Sequence, residues 1–445
     1  MSPAQSSISS KAQMSALSAP EGRALLIAYH FPPCGFSSGL QRTLSYSRDL
    51  RAHGWSPAVL TVHPRAYSAT KSDQLGQIPP DVPIRRSFAL DTTRHLSVRG
   101  RYLGWMALPD PWVTWLMGAI PAGLHMIREY NPEILWSTYP VATAHLVALT
   151  LCRLTGIPWI ADFRDPMTEI DPVSGQQFPC DARVWHVRRW IEKQTIRHCS
   201  RAVFVTEEAL RIHQTRYPEF ARRMALIGNG YDEDNFELAE SIRSTNRVEV
   251  REYLLLLHSG IMYPGPDRDP TALFTALIKL RESGRIDGSK LQIRLRASGY
   301  EEHYKRLIQD YGLGDIVSLA PAIPYQEALA EMLTADGLLV FQGRTSNPAV
   351  PAKLYEYLRA RRPIFAMVDA EGETAKVLRS AQAGAIVPLD DPAKIAQSLE
   401  TFLQEVRMGT AALPQPEEVE RHSRKHKAQQ LAALFEEVAR PEGAR

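Results

Sequence analysis

Four short stretches of the 445-residue chain gather residue types that can hold anions or orient hydroxyls. In Pro348-Ala-Val-Pro-Ala-Lys-Leu-Tyr-Glu-Tyr357, Pro351 suits the first turn of a helix. Lys353 and Glu356 then share one helical face near the positive end of the helix dipole. Such a lysine makes an anion site, and a carboxylate one turn on can accept both hydroxyls of a ribose. A surface Lys–Glu pair would show the same spacing. In Tyr263-Pro-Gly-Pro-Asp-Arg-Asp-Pro270, Arg268 follows an apolar run and precedes a helical pattern, where a cation could face a diphosphate. In Trp159-Ile-Ala-Asp-Phe-Arg-Asp-Pro166, an apolar run ends in Asp162, Arg164 and Asp165. These could orient sugar hydroxyls or stabilise an electron-poor anomeric centre, or form an Asp–Arg pair that locks a turn. The fourth stretch runs from His30 to Arg42. Gly35 and Gly39 there allow close backbone approach, and the helix that follows presents free N–H groups. It also spells Gly35-Phe-Ser-Ser-Gly39, the pattern of a hydrolase nucleophile elbow with Ser37 as nucleophile. That reading fits poorly, because Phe31-Pro32-Pro33 separates the serine from its strand.

In open parallel sheets, ligands sit beyond the carboxyl ends of the strands. The chain supplies such ends in two series. Strands are expected at Ala24–Tyr29, Pro57–Val62, Glu133–Thr138, Pro158–Phe163, Ala202–Thr206 and Met224–Ile227. A second set is expected at Tyr253–His258, Leu291–Ala297, Ile316–Leu319, Gly337–Phe341, Pro363–Met367 and Ala385–Pro388. Continuous apolarity implies burial on both faces. A helix is expected from about Gly39 to His53, and another before Ala202 should lie on its sheet through Val184, Val187, Trp190 and Ile191. Alternating strand and helix demands a parallel sheet with right-handed crossovers, and two series give two facing doubly wound Rossmann-like domains. The expected division is a disordered leader over 1–22, a first domain over 23–235, a polar linker over 236–251 and a second domain over 252–412. The segment 413–445 should form a helix that crosses back to the first domain.

A chain of this length exceeds what one core organises. With 52 basic and 49 acidic residues, the net charge of +3 excludes a whole-surface attraction to nucleic acid. Basic groups cluster locally, at Arg85, Arg86, Arg94, Arg99 and Arg101 and at Arg188, Arg189, Lys193 and Arg197, as a solvated face or a patch for anionic lipid. Cys34, Cys152, Cys180 and Cys199 indicate neither a disulfide framework nor a zinc site. The leader lacks the apolar core of a secretory signal, so a cytoplasmic protein is expected. The most apolar stretch, Trp105 to Met126, is broken by Pro109, Asp110, Pro111 and Pro121 and cannot span a bilayer as a regular helix. Its Trp105, Trp112 and Trp115 would suit peripheral contact at the inner face of a membrane, an acceptor groove or packing on the sheet.

Taken together, these stretches resemble the family 4 type of glycosyltransferases, whose GT-B fold sets two Rossmann-like domains face to face. The resemblance runs from about Ala24 to Leu434. It lies in Tyr29-His-Phe-Pro-Pro33 with Arg42, in Ile157–Pro166, Ile227-Gly-Asn-Gly-Tyr-Asp232, Leu257-His-Ser-Gly260, Arg268-Asp-Pro270 and Pro351–Leu358 leading to Arg362-Pro363. It implies transfer of a sugar from a nucleoside diphosphate sugar to a hydroxyl acceptor (a glycan, lipid-linked or small molecule). Such transfer retains anomeric configuration and needs no metal or other cofactor. Arg268 and Lys353 resemble the cations that neutralise the departing diphosphate, and Glu356 the ribose-binding glutamate. Gly35, Gly39, Gly260 and Pro351 fall at donor-binding positions, with Asp162, Arg164 and Asp165 across the cleft. The family's first glutamate is replaced by Pro348, and Phe36 stands where a second glycine is common. His30 and His145 are candidates for the family's histidine near the transferred sugar. A non-catalytic nucleotide-sugar-binding protein and a sugar-nucleotide epimerase remain alternatives.

Overall fold

The computed structural model describes residues 22–35, 39–72, 74–171, 173–245 and 251–440. The leader up to residue 21 and Ser37 with its neighbours lie outside them. The first domain contains β1 (Gly22–Ile27), β2 (Trp55–Val62), β3 (Ile84–Ser87), β4 (Ile134–Thr138) and β5 (Trp159–Phe163). A small antiparallel hairpin, β6 (Glu169–Ile170) and β7 (Gln177–Phe178), precedes β8 (Arg201–Phe204) and β9 (Met224–Leu226). Apart from the hairpin, these strands form one seven-stranded parallel sheet ordered β3-β2-β1-β4-β5-β8-β9. The second sheet is parallel too, built from β10 (Leu254–Ser259), β11 (Leu291–Arg296), β12 (Val317–Ala320), β13 (Gly337–Gln342), β14 (Ile364–Val368) and β15 (Ala385–Val387), in the order β12-β11-β10-β13-β14-β15. The strand order reverses beside β1 in one sheet and beside β10 in the other. Those reversals open the crevices where ligands enter such sheets.

Crossover helices cover both faces, which is why the central strands β1, β4, β5, β10 and β13 are mostly apolar and almost wholly buried. They are α1 (Leu40–Asp49), the single turn α2 (Thr92–His95), α3 (Trp115–Tyr130), α4 (Ala142–Thr155), α5 (Ala182–His198) and α6 (Glu207–Arg216) in the first domain. Next come α7 (Glu233–Thr245), α8 (Thr271–Glu282), α9 (Glu301–Asp310), α10 (Tyr325–Thr334), α11 (Ala352–Ala360), α12 (Glu373–Ser380) and α13 (Pro392–Met408). The chain ends with α14 (Pro416–Arg421) and α15 (Arg424–Ala439). As expected, α15 crosses back: its Phe435 meets Trp55 of the first domain edge-on, ring centroids 5.1 Å apart.

Three local readings need correction. The polar stretch expected to be a linker from 236 is helical up to Thr245, because Phe236 and Ala239 of α7 are buried against the second domain. On α5, Trp190 is exposed rather than sheet-facing, and the buried stripe is Ile191, Glu192, Thr195 and Ile196. Glu192 tolerates burial because Arg216 and the Tyr217 hydroxyl donate to it, at 2.8 and 2.9 Å. The aromatic stretch divides, with Trp115, the first residue of α3, fully buried and Trp105 exposed.

Two chain crossings join the domains side by side. Tyr231 N–H donates to the His422 carbonyl at 3.1 Å, and Arg424 N–H donates to the Tyr231 carbonyl at 2.9 Å. Gly230 permits this, since a Cβ there would fall 2.2 Å from the His422 oxygen.

Candidate active site

The strand-order reversal beside β10 ends in His258-Ser259-Gly260. His258 is fully buried, and its Nδ1 lies 2.9 Å from the Leu339 carbonyl. A carbonyl can only accept, so Nδ1 carries the proton and Nε2 is left as an acceptor. Lys353 Nζ stands 2.9 Å from that Nε2. Burial first, and the Lys353 charge second, hold the imidazole well below its usual range, so it is neutral.

Lys353 occupies the first turn of α11, behind Pro351 as the N-cap residue. Gly260 has φ +107°, and a Cβ there would meet Lys353 Nζ at 3.1 Å; glycine is what the lysine's approach requires. Burial and then the Arg268 charge pull the ammonium down to about 7, with Glu356 opposing them. Arg268 itself is held loosely. Its guanidinium meets the Ile261 carbonyl and Asp267 only at 3.5 Å each, at the limit of a useful hydrogen bond. Glu356 accepts from the Tyr325 hydroxyl at 2.7 Å. Burial pushes its carboxyl up, against the Tyr325 hydrogen bond and the charges of Arg424 and Lys353. The cluster therefore holds two neighbouring cations and one carboxylate drawn toward neutrality. An arriving anion would relieve that imbalance.

In the first domain the structure separates residues that look alike in sequence. Asp162 is fully buried and does not face the cleft as a free carboxylate. Arg42 grips it through Nε and Nη2, both at 2.9 Å, and Thr138 donates to it at 2.8 Å. Arg42 also donates to the Ile227 and Gly228 carbonyls, each at 2.8 Å. The Asp–Arg lock is real, but its arginine is Arg42 rather than Arg164. Arg164 and the half-exposed Asp165, 3.7 Å apart, do reach the cleft. Gly35 lies against Thr70 and Lys71, and Gly39 precedes α1 without a side-chain cap. His145 belongs to the core, against Trp159 and Phe163 and 2.7 Å from the Ser137 hydroxyl. His30 packs on Tyr29 and Trp112.

Between the domains lies a cavity of about 570 Å³, lined by Arg164, Asp165 and Phe178 on one side and Thr345, Pro348 and Val350 on the other. Its size is that of a small-molecule site. The Lys353 cluster is not part of its lining; Lys353 lies three residues beyond Val350, in the first turn of α11. The two domains touch at the rim, with the Thr206 hydroxyl donating to the Pro348 carbonyl at 2.7 Å and Glu207 N–H donating to Glu373 at 3.2 Å. Pro348 thus offers the cavity no carboxylate, and its carbonyl is already engaged. Sequence reading assigned no role to His258 or Tyr325. A histidine closing an apolar strand was the available signal for the first; for the second there was none.

Residues 39–230, most of the first domain, match the glycosyl transferase 4-like domain family. No curated protein matches the sequence. Sucrose-phosphate synthase from Thermosynechococcus elongatus superposes with a TM-score of 0.64 at 14% identity, over 94% of this chain and 99% of that one. A glycosyltransferase from Rickettsia africae gives 0.62 at 11% identity, over 95% and 100%. Anabaena HepE, in complex with UDP and glucose, gives 0.58 at 12%, over 94% and 100%. At these identities the likeness is one of fold, the paired Rossmann-like domains of GT-B. Among the described residues no helix is long and apolar enough to cross a membrane.

Proposed function

We propose that this chain, a glycosyltransferase by its first-domain family and its GT-B architecture, moves a hexose-like unit from a nucleoside diphosphate sugar to a hydroxyl acceptor, retaining configuration and using no metal. The observation that carries the donor half is Lys353 at the start of α11, underpacked in charge and backed by a neutral imidazole. The occurrence of UDP and glucose in the similar Anabaena fold supports the same class of donor.

In this reading the donor's diphosphate lies across Lys353, Arg268 and the first N–H groups of α11. The bond from anomeric carbon to diphosphate oxygen breaks, and its electron pair leaves with the diphosphate. Negative charge grows there, and two cations in a poorly solvated site stabilise it most at the transition state. The acceptor oxygen forms the new bond and gives up its proton to the departing side. Gly260 leaves room for the lysine, while His258 holds it by a hydrogen bond that costs no opposing charge. Glu356 accepts the ribose hydroxyls, with Tyr325 orienting the carboxylate. The 570 Å³ cavity beside Arg164 and Asp165 receives the sugar and acceptor. Contact between Thr206 and Pro348 closes it against water, the competing acceptor. Peripheral membrane contact is proposed through Val98, Leu103 and Trp105, all exposed beside Arg99 and Arg101.

Melting the full chain with UDP, GDP, ADP and their sugars tests the donor half, since a ligand of the folded form alone must raise its stability. No response to any of them would sink the reading. Product analysis then separates the alternatives. Turnover without an acceptor would mean epimerisation, binding with no turnover over a broad acceptor panel would mean a sensor, and an inverted anomeric centre would remove the retaining assignment.

A further inference from the structure

Where α1, α11 and α15 meet, a small crevice of about 30 Å³ runs between the domains, lined by Arg42, Tyr46, Arg164, Ala352, Arg424 and Lys427. Two of its polar groups have no hydrogen-bond partner among the described residues. Tyr46 is 1% exposed, and its hydroxyl makes no hydrogen bond. Lys427 is 9% exposed, and its ammonium makes no hydrogen bond or ion pair among the described residues. Burial, then the Arg42 charge, draws that ammonium down to about 8, with Glu418 opposing. The neighbouring cations are already engaged. Arg42 is committed to Asp162 and two carbonyls, and Arg424 reaches Gln41 at 3.1 Å and Asp232 at 3.5 Å.

An unsatisfied buried donor is costly, and a charged one more so. Here the unpaired Tyr46 hydroxyl and the Lys427 ammonium share one void, with Ala352, the first residue of α11, lining its edge. A single water needs about 10–15 Å³, so the crevice admits a group of a few atoms and excludes a sugar ring. We propose that it binds a phosphate-type oxyanion, either the free ion or the phosphate group of a larger ligand lying in the interdomain cleft. Tyr46 lies on α1 and Lys427 on α15, which packs back on the first domain, whereas Ala352 belongs to the second, so the anion bridges the domains and favours their closed arrangement. This seat is separate from the Lys353 cluster, whose ammonium is turned to His258, and it stands whether or not the chain transfers sugars.

Calorimetric titration of the full chain with inorganic phosphate and with glucose 6-phosphate, in phosphate-free buffer of low ionic strength, tests it. Phosphate should bind the parent. Phosphate should still bind in a Lys353→Ala background, which empties the diphosphate seat, and there Lys427→Met should weaken binding about tenfold or more and Tyr46→Phe less, as expected for a charged and a neutral hydrogen bond. If glucose 6-phosphate binds and inorganic phosphate competes with it, the ligand is a phosphate carried on a larger molecule; if inorganic phosphate binds alone, the ligand is the free ion. Either result upholds the site. Loss of binding in Lys353→Ala would move the anion to the diphosphate seat and overturn it. So would binding that survives Lys427→Met in that background, or no binding of either probe at millimolar concentration, in which case the two donors share only water. Should Lys427→Met fail to fold, Tyr46→Phe, which deletes one hydroxyl, makes the same comparison.

Discussion

Arg42 with Asp162, and Lys353 with Glu356, are both cation–carboxylate sets at the carboxyl edge of a parallel sheet, yet they are built to opposite ends. The first is saturated. Asp162 accepts three hydrogen bonds from two side chains, and Arg42 donates the remainder to carbonyls at the end of the first domain. Although burial works against it, the Asp162 charge drives the guanidinium still higher, so Arg42 keeps its charge. The second set is left short of negative charge. Lys353 faces a neutral imidazole and a second cation, and Glu356 is engaged by a tyrosine instead of by the lysine. The lesson is that a charged pair completed by the protein holds the fold together, whereas one left incomplete waits for a ligand.

The sharpest way to break this contrast is to remove one member of the saturated pair. Arg42→Ala leaves Asp162 buried and uncompensated, which should lower the unfolding free energy by about 3–5 kcal/mol, measured by urea denaturation. A stable Arg42→Ala chain that had merely lost donor turnover would show the first set to be a ligand site too. Next in size is Lys353→Ala. With a nucleotide sugar that the parent uses, kcat/KM should fall about a hundredfold or more. The melting temperature should not fall, because the mutation deletes a buried cation that makes no ion pair among the described residues. An unchanged rate in the folded variant would take Lys353 out of the site.

Much of this was readable in advance, and the gaps have physical reasons. In the second sheet β10, β13 and β14 follow from apolar runs, because strands buried on both faces have no polar alternation to confuse them, while β11, Leu291-Gln-Ile-Arg-Leu-Arg296, follows from strict alternation. β3 escaped notice because Ile84-Arg-Arg-Ser87 is an edge strand with an exposed arginine. α7 was obscured by its charges, although Phe236, Ala239 and Ile242 repeat every three residues. Lys353 and Glu356 were legible since one helix turn fixes their spacing. The partner of Asp162 was not, because Arg42 lies 120 residues away and only the sheet order brings them together. Glu356→Ala sharpens the legible part. Losing a carboxylate that accepts ribose hydroxyls should raise the donor dissociation constant about tenfold or more, with kcat at saturation less affected. A fall in kcat alone would give Glu356 a role in the reacting centre.

The smallest effect divides the two sets by pH. In the free protein the Lys353 ammonium is drawn down to about 7 by burial and by Arg268, and a bound diphosphate favours its charged form, raising that value. Below pH 7 the lysine is protonated with or without donor, so affinity should be level. From pH 7 upward to the value in the complex, binding takes up a proton, and affinity should weaken by up to about tenfold per unit. Stability of the free chain should move the other way. An unfolded lysine titrates near 10.4, so between about pH 7 and that value the unfolded state binds more protons and this residue makes the fold more stable as pH rises. Calorimetry with an intact nucleotide sugar, which has no phosphate group titrating in this window, reads the first slope, and urea midpoints read the second. Lys353→Met should flatten the first and remove this residue's share of the second. An Arg42 variant that folds should leave the donor slope intact, because its guanidinium holds its proton throughout. If instead donor affinity is level across the window in the parent, the ammonium does not meet the diphosphate, and the incomplete set loses its ligand.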